Sequence, residues 1–218
     1  ALTPYPPSLR HFNYTSTFGR VKAMINKILF FDNWLLLQAN SLVGHSFWAD
    51  KIILYLSVGV VYLAPLVLIG LWFYSRYAKQ PALQLLFSAL LSWQVFNRII
   101  AKFIWYRERP FINAKIEIKE LFFHRPDHSF PSDHMTFFTA LTVAPFLAGY
   151  RKLGWFFLTT GFVVGVSRVV IGVHYPLDIV GGIVTGVLGA LIIYWLRAPL
   201  KRWVYEPLIK FARKVHLA

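Results

Sequence analysis

The chain has 218 residues, 57% of them hydrophobic and only 15% charged, against the roughly 25% charge of an ordinary soluble domain; the deficit excludes a water-soluble globule and reads as a chain whose solvent is lipid. A net charge of +14 would point to nucleic acid in a soluble protein, but beside long apolar runs it points to anionic lipid headgroups and a phosphate-bearing substrate, with no nucleic-acid partner. Cysteine is absent, so there is no disulfide framework and no thiolate metal site.

Residues 1–20 hold three prolines and no continuous apolar core, so no signal peptide is expected there. Within residues 21–46 the run ILFFDNWLLLQANSLVG is apolar but carries Asp32, Asn33, Gln38 and Asn40. Unpaired in lipid, such groups cost several kcal/mol. The expectation for the N-terminal segment 1–50 is therefore an interfacial amphipathic helix anchored by Trp34, with a sixth span as the alternative. A bilayer core about 30 Å thick asks for roughly 20 mostly apolar residues per helix. Residues 52–74, 82–104, 133–149, 153–173 and 177–196 meet or approach that. The fold expected is all-α, a polytopic transmembrane bundle of five or six spans, forming one membrane-embedded domain over residues 1–218. The stretch 105–132 is a polar loop, long enough to suspect function.

Loop charge orients the bundle. One end holds Arg76, Lys79, Arg151 and Lys152, together with Arg197, Lys201, Arg202, Lys210, Arg213 and Lys214 of the basic tail 197–218. That end is expected to be cytoplasmic. The loop 105–132 and the seam SRVVIGVHYPLD (residues 167–178) then face outward. Arg10, Arg20, Lys22 and Lys27 add positive charge to the outer side if residues 21–46 do not cross.

Topology gathers the charges near the outer ends of the spans. Lys102 and Arg109 close the second span, Ser132, Asp133 and His134 open the third, Arg168 lies inside the fourth, and His174 and Asp178 bracket the start of the fifth. Each has a structural explanation: Lys102 snorkelling, Arg109-Pro110 as a turn, Ser132 or Asp133 as a cap, and Tyr175 capping a helix that begins at Pro176 with Asp178 in its first turn. Arg168 fits such an explanation least, since a guanidinium about a turn and a half inside a span needs the bundle interior and a partner. Together they suit a phosphate. Lys102, Arg109 and Arg168 supply cations, and the helix opening at Ser132 offers free N–H groups. One imidazole can attack phosphorus and the other protonate the leaving oxygen, with Asp178 orienting His174.

The motifs Lys102–FIWYRE–Arg109-Pro110, Pro131-Ser132-Asp133-His134 and Ser167-Arg168–VVIGV–His174–YPL–Asp178 resemble the three signatures of the type 2 phosphatidic acid phosphatase (PAP2) superfamily, whose pattern is K-x6-R-P, P-S-G-H and S-R-x5-H-x3-D. Asp133 departs from the pattern's Gly, and the P-S-D-H version, with HSF before it, resembles the bacitracin-resistance branch, the BcrC-like undecaprenyl diphosphate phosphatases. The resemblance implies a bundle of the PAP2/vanadium haloperoxidase type and hydrolysis through a phosphohistidine without metal or other cofactor. It implies phosphate binding by Lys102, Arg109, Ser132 and Arg168, His134 as the acid, His174 as the nucleophile and Asp178 as its partner. The Asp133 N–H can serve the phosphate as the Gly N–H would. Its carboxylate must be turned outward or paired, with Arg107 or Arg125 as the candidate partners.

His124, Arg125 and His128, just ahead of the second motif, are candidates for a second phosphate or members of a solvated loop. The expected substrate is a lipid-linked phosphate, foremost a polyprenyl diphosphate, in a multi-pass protein of the cell membrane with its active site extracytoplasmic. Phosphatidylglycerophosphate, phosphatidate and lipid A stay open as substrates. So do an anionic-lipid transporter, a metal hydrolase built on His134, His174 and Asp178, and a homodimer.

Overall fold

A computed structural model describes residues 14–114, 116–121, 126–215 and 217. The described residues form helices and connecting loops, with one isolated bridge pairing Glu108 with His128. Helix α1 is Tyr14–Asn40. After the turn at Gly44, whose N–H is held by the Asp50 carboxylate, α2 runs Phe47–Tyr74 with Ser46 as its N-cap. An extended Ser75 breaks the chain, and α3 runs Lys79–Ile104. Lys79 is buried and donates to Trp72 O at 2.7 Å, which pins the α2–α3 turn.

Helix α4 is Asp133–Leu147, α5 is Arg151–Val170 and α6 is Pro176–Trp195. The tail continues helically through Arg197–Leu200 and Lys201–Tyr205 into α7, Glu206–Lys214. Helices α2, α3, α5 and α6 are long and apolar enough to cross a membrane. The fifth expected span, 133–149, is α4, with 15 residues. It stands in the middle of the bundle, packed against α3, α5 and α6. Its Phe138, Ala140, Leu141 and Ala144 join Leu85, Phe157, Val164 and Ala190 in the core.

Close approach of backbones fixes this packing. A Cβ on Gly186 of α6 would lie 2.6 Å from Thr136 O, and one on Gly182 would lie 2.8 Å from Ser132 O. Small residues at such a seam let two helices meet backbone to backbone. The beginning of α6 is thereby drawn against the beginning of α4.

Helix α1 is one helix of 27 residues, and it is not among those long and apolar enough to cross. Its first half exposes Met24, Ile25, Ile28 and Phe30, while Asp32, Leu36 and Asn40 in its second half are buried. Of the polar groups that made this stretch ambiguous, the two that are buried, Asp32 and Asn40, find partners. Asn40 donates to Val170 O (2.9 Å) and Lys119 O (3.1 Å), and accepts from Lys119 N–H (2.8 Å). That pairing is what makes burial of such groups tolerable.

Candidate active site

Two tight junctions build the site. Helix α6 starts at Pro176 with its N–H-free first position, and Asp178 in its first turn reaches back to accept from Tyr175 N–H at 2.8 Å. Helix α4 starts after Ser132, whose Oγ accepts from Met135 N–H. The Ser132 N–H donates to Asp178 O at 3.0 Å, which ties the two helix openings together. Caps of this kind satisfy backbone groups that a helix start leaves open.

His174 sits on the short link between α5 and α6 and is 1% exposed. Its Nδ1 lies 3.5 Å from Asp178 Oδ2. Ser129 donates to the same carboxylate oxygen and lies 3.5 Å from His174 Nδ1. On the other side of the ring, Arg109 Nη1 is 3.3 Å from His174 Nε2 and donates to Val173 O at 3.0 Å. The imidazole is thus held between a carboxylate and a guanidinium. A guanidinium has donors only, so the Nε2 it faces is the acceptor, basic nitrogen and Nδ1, on the Asp178 side, carries the proton.

Arg168, 3% exposed, directs Nη2 at His134 Nε2 across 2.9 Å. Its Nε and Nη1 are buried and have no acceptor among the described residues. The guanidinium groups of Arg168 and Arg109 are near enough to repel each other. The structure thus brings Arg109, Ser132, His134, Arg168, His174 and Asp178 to one end of the bundle.

Lys102 stands apart from this set: its side chain is exposed and its ammonium lies over the Phe103 ring. It is carried on a part of α3 where the turns widen, at Leu91–Asn97 and Ile100–Ile104. Widened turns of this kind recur at functional sites. His124 and Arg125 lie outside the described residues. His128 is described, with Nε2 3.9 Å from Asp133 Oδ1.

Asp133 does not pair with Arg107. It accepts from Asn97 Nδ2 at 2.8 Å. Arg107 is engaged elsewhere, 2.5 Å from Asp32 Oδ2 and 3.0 Å from Asp178 Oδ1. Arg107 is not that partner because two buried carboxylates already claim its guanidinium; Arg125, the other candidate, lies outside the described residues. Burial pushes the Asp32 carboxyl above its ordinary value, and Arg107 opposes the push.

Asn97, Arg107, Ser129, Asp32 and Asp127, which accepts from Arg109 Nε at 2.7 Å, were not singled out as site residues from the sequence. For Asp32 a signal was present, a carboxylate in an apolar run with no partner nearby. The others carry no local mark. No group of three or more His, Asp or Glu side chains among the described residues is arranged to hold a metal ion.

An apolar groove of about 290 Å³ leads away from His134 and Asp133. Its walls are Val61, Tyr62 and Pro65 of α2, Trp93 of α3 and Phe137 of α4.

Residues 81–202 match the PAP2 superfamily. The bacitracin transport permease protein BcrC of Bacillus licheniformis is 41% identical over 99 residues, covering 45% of this chain and 45% of that protein, so this chain spans less than half of that relative's length in the match. The undecaprenyl-diphosphatase BcrC of Bacillus subtilis (strain 168) is 28% identical over 151 residues, 68% of this chain and 75% of the relative. The crystal structure of the first transmembrane PAP2 type phosphatidylglycerolphosphate phosphatase from Bacillus subtilis superposes with a TM-score of 0.60 at 22% identity, over 82% of this chain and 90% of that one, a likeness of fold. The family match takes in more than half of the chain and every motif residue from Lys102 to Asp178: the chain belongs to the PAP2 superfamily.

Proposed function

We propose that this chain removes the terminal phosphate of a polyprenyl diphosphate, of the undecaprenyl kind named for the Bacillus subtilis relative, at the extracytoplasmic face and through a phosphohistidine. The observation that carries the reading is Arg168. A buried guanidinium with two nitrogens lacking an acceptor among the described residues, beside a second guanidinium and two imidazoles, is matched by a phosphoryl group.

In this reading the Nε2 lone pair of His174 attacks the terminal phosphorus. Asp178 holds Nδ1–H and stabilises the imidazolium that forms. Arg109 and Arg168 take the charge on the equatorial oxygens, and the open N–H groups at the start of α4 add to them. The bond from phosphorus to the bridging oxygen breaks, and His134 gives that oxygen its proton. Water then attacks the phosphorus as His134 takes its proton, the P–N bond breaks with its electron pair returning to Nε2, and inorganic phosphate leaves with His174 restored. Arg168 donates to His134 Nε2 at 2.9 Å; a guanidinium that turns to a phosphate oxygen releases that nitrogen to carry the proton.

The groove at His134 supports a lipid substrate. The leaving group is the lipid side of the molecule, and its tail has an apolar channel beginning at the proposed acid. The outward face rests on the basic residues at the opposite end of the bundle.

The test is phosphate release in detergent, with chelator present, from polyprenyl diphosphate, phosphatidylglycerophosphate, phosphatidate and lipid A. The expected outcome is fastest turnover of the polyprenyl diphosphate, unchanged by chelation and abolished in His174→Ala together with the trapped phosphoenzyme. His134→Ala slows poor leaving groups most. Faster release from another lipid reassigns the substrate. Movement of lipid phosphate between leaflets without release makes the protein a transporter.

A further inference from the structure

Asp32 lies outside the residues matched to the family, and neither Asp32 nor Arg107 belongs to the three motif positions. Arg107 nevertheless reaches the carboxylate behind His174, and Asp32 reaches Arg107. Arg107 donates through Nη2 to Asp32 Oδ2 at 2.5 Å and through Nη1 to Asp178 Oδ1 at 3.0 Å. The second oxygen of Asp32 accepts from Leu177 N–H at 2.8 Å, one residue before Asp178. The guanidinium lies over the Tyr175 ring, 3.5 Å from its centroid, with Trp105 on a further side. Stacking and two fork bonds leave it one orientation. Asp32 and Asp178 are 2% and 0% exposed, so their shared charge is not screened by water.

We propose that Asp32 and Arg107 are a positioning pair for the His174–Asp178 dyad, by which helix α1 sets how strongly the carboxylate holds the imidazole. The inference rests on the reading of His174 as nucleophile. One guanidinium serves two carboxylates. If Asp32 loses its charge, Asp178 has the guanidinium to itself and holds the imidazolium less. If Arg107 loses its charge, both carboxylates act on the imidazole unopposed and hold it more. The other charged and titratable groups facing the dyad are Arg109 with its partner Asp127, the Tyr175 phenol, and the Arg168–His134 pair from α5 and α4. Lys27 lines the apolar cleft on the α1 side of Asp32.

The experiment is an NMR titration of the His174 ring in the full chain in detergent, with isotope-labelled histidine and the signal assigned by its loss in His174→Ala. Asp32→Asn is expected to move the midpoint down by about half a pH unit or more, and Arg107→Gln to move it up by about as much. Arg107→Lys keeps the charge and stays near the wild type. Turnover is measured alongside: Arg107→Gln lowers kcat through the lost orientation of Asp178, with KM held within about twofold, because the pair does not touch phosphate. Midpoints that do not move, or that move the same way in Asp32→Asn and Arg107→Gln, overturn the proposal. Should Arg107→Gln fail to fold, Asp32→Asn decides alone, since it keeps the side chain's shape and an acceptor for Leu177 N–H. The titration needs no turnover: a wild type that releases no phosphate sinks the phosphatase reading while the pairing is still measured.

Discussion

Asn97 on α3 donates its amide to the carboxylate of Asp133 across 2.8 Å, and the same amide lies 3.0 Å from Thr136 Oγ1. Thr136 in turn donates to Asn97 Oδ1 at 3.1 Å and shares a 2.8 Å bond with Thr185 of α6. The one acid that departs from the family's Gly is therefore anchored to a buried polar chain that crosses three helices.

Asn97→Ala is expected to free that carboxylate beside the proposed phosphate position. KM for a lipid diphosphate should rise about three- to tenfold, the size of a modest charge repulsion. Asp133→Gly in the same background should bring it back. Steady-state kinetics on the two single variants and the double variant measure the coupling; a double variant as poor as Asn97→Ala would show that Asn97 acts by packing alone.

Ser129 is fully buried and donates to the Asp178 oxygen that faces His174. Ser129→Ala should lower kcat about tenfold, as for a buried carboxylate short of one donor. Asp178→Asn should lower it by about 10⁴ with the fold retained. In the double variant the losses should not add. Single-turnover measurement of phosphoenzyme formation checks this, and additive losses would separate the two residues.

The α4–α6 seam should be intolerant of a methyl group. Gly186→Ala sets a Cβ 2.6 Å from Thr136 O and from Thr139 Cβ. The helices must part, at a cost of about 1–3 kcal/mol. The expected result is a lower unfolding midpoint in detergent and reduced turnover, since the same seam joins Ser132 to Asp178. Gly70→Ala on α2, where a Cβ meets nothing within 4 Å, should leave both unchanged.

Tyr205, outside the spans, docks the tail edge-on against Phe87, with ring centroids 5.6 Å apart. Burial pushes its phenol from 10.0 up to about 12. The unfolded chain ionises this group near 10 while the folded chain keeps it neutral until about 12. Stability from this group is therefore complete below pH 10 and is lost as pH rises to about 12. Tyr205→Phe removes that loss, so its unfolding midpoint should fall less between those values than the wild type's. Parallel pH profiles for the two proteins would deny the phenol this role.

The motif residues were legible because their spacing is local: Pro176 and Asp178 write a helix start, Ser132 writes another, and a charge inside a span, Arg168, demands an interior partner. Their partners were not. Arg107 reaches Asp32 across 75 positions and Asp178 across 71, and no local spacing says which residues meet. The ambiguity of residues 21–46 was the trace of that hidden contact, because polar groups in an apolar run must be satisfied somewhere. The Asp133 partner was sought among arginines, on charge alone; Arg107 is engaged elsewhere, and among the described residues the carboxylate accepts from the Asn97 amide, with His128 Nε2 3.9 Å away. Lys102 matches its motif by spacing but is exposed, with its ammonium over Phe103. The segment 133–149 has the composition of a span, yet α4 is held by helices on several sides and has 15 residues.

The groove beside His134 is walled by α2 side chains such as Tyr62, which is itself largely open to the surroundings. A tail lying there need never quit the hydrocarbon phase. Encounter between protein and amphiphile then becomes a two-dimensional search. Velocity should follow the mole fraction of amphiphile within each micelle or bilayer patch, and dilution with inert detergent should slow the reaction even when the total molarity in the tube is held constant.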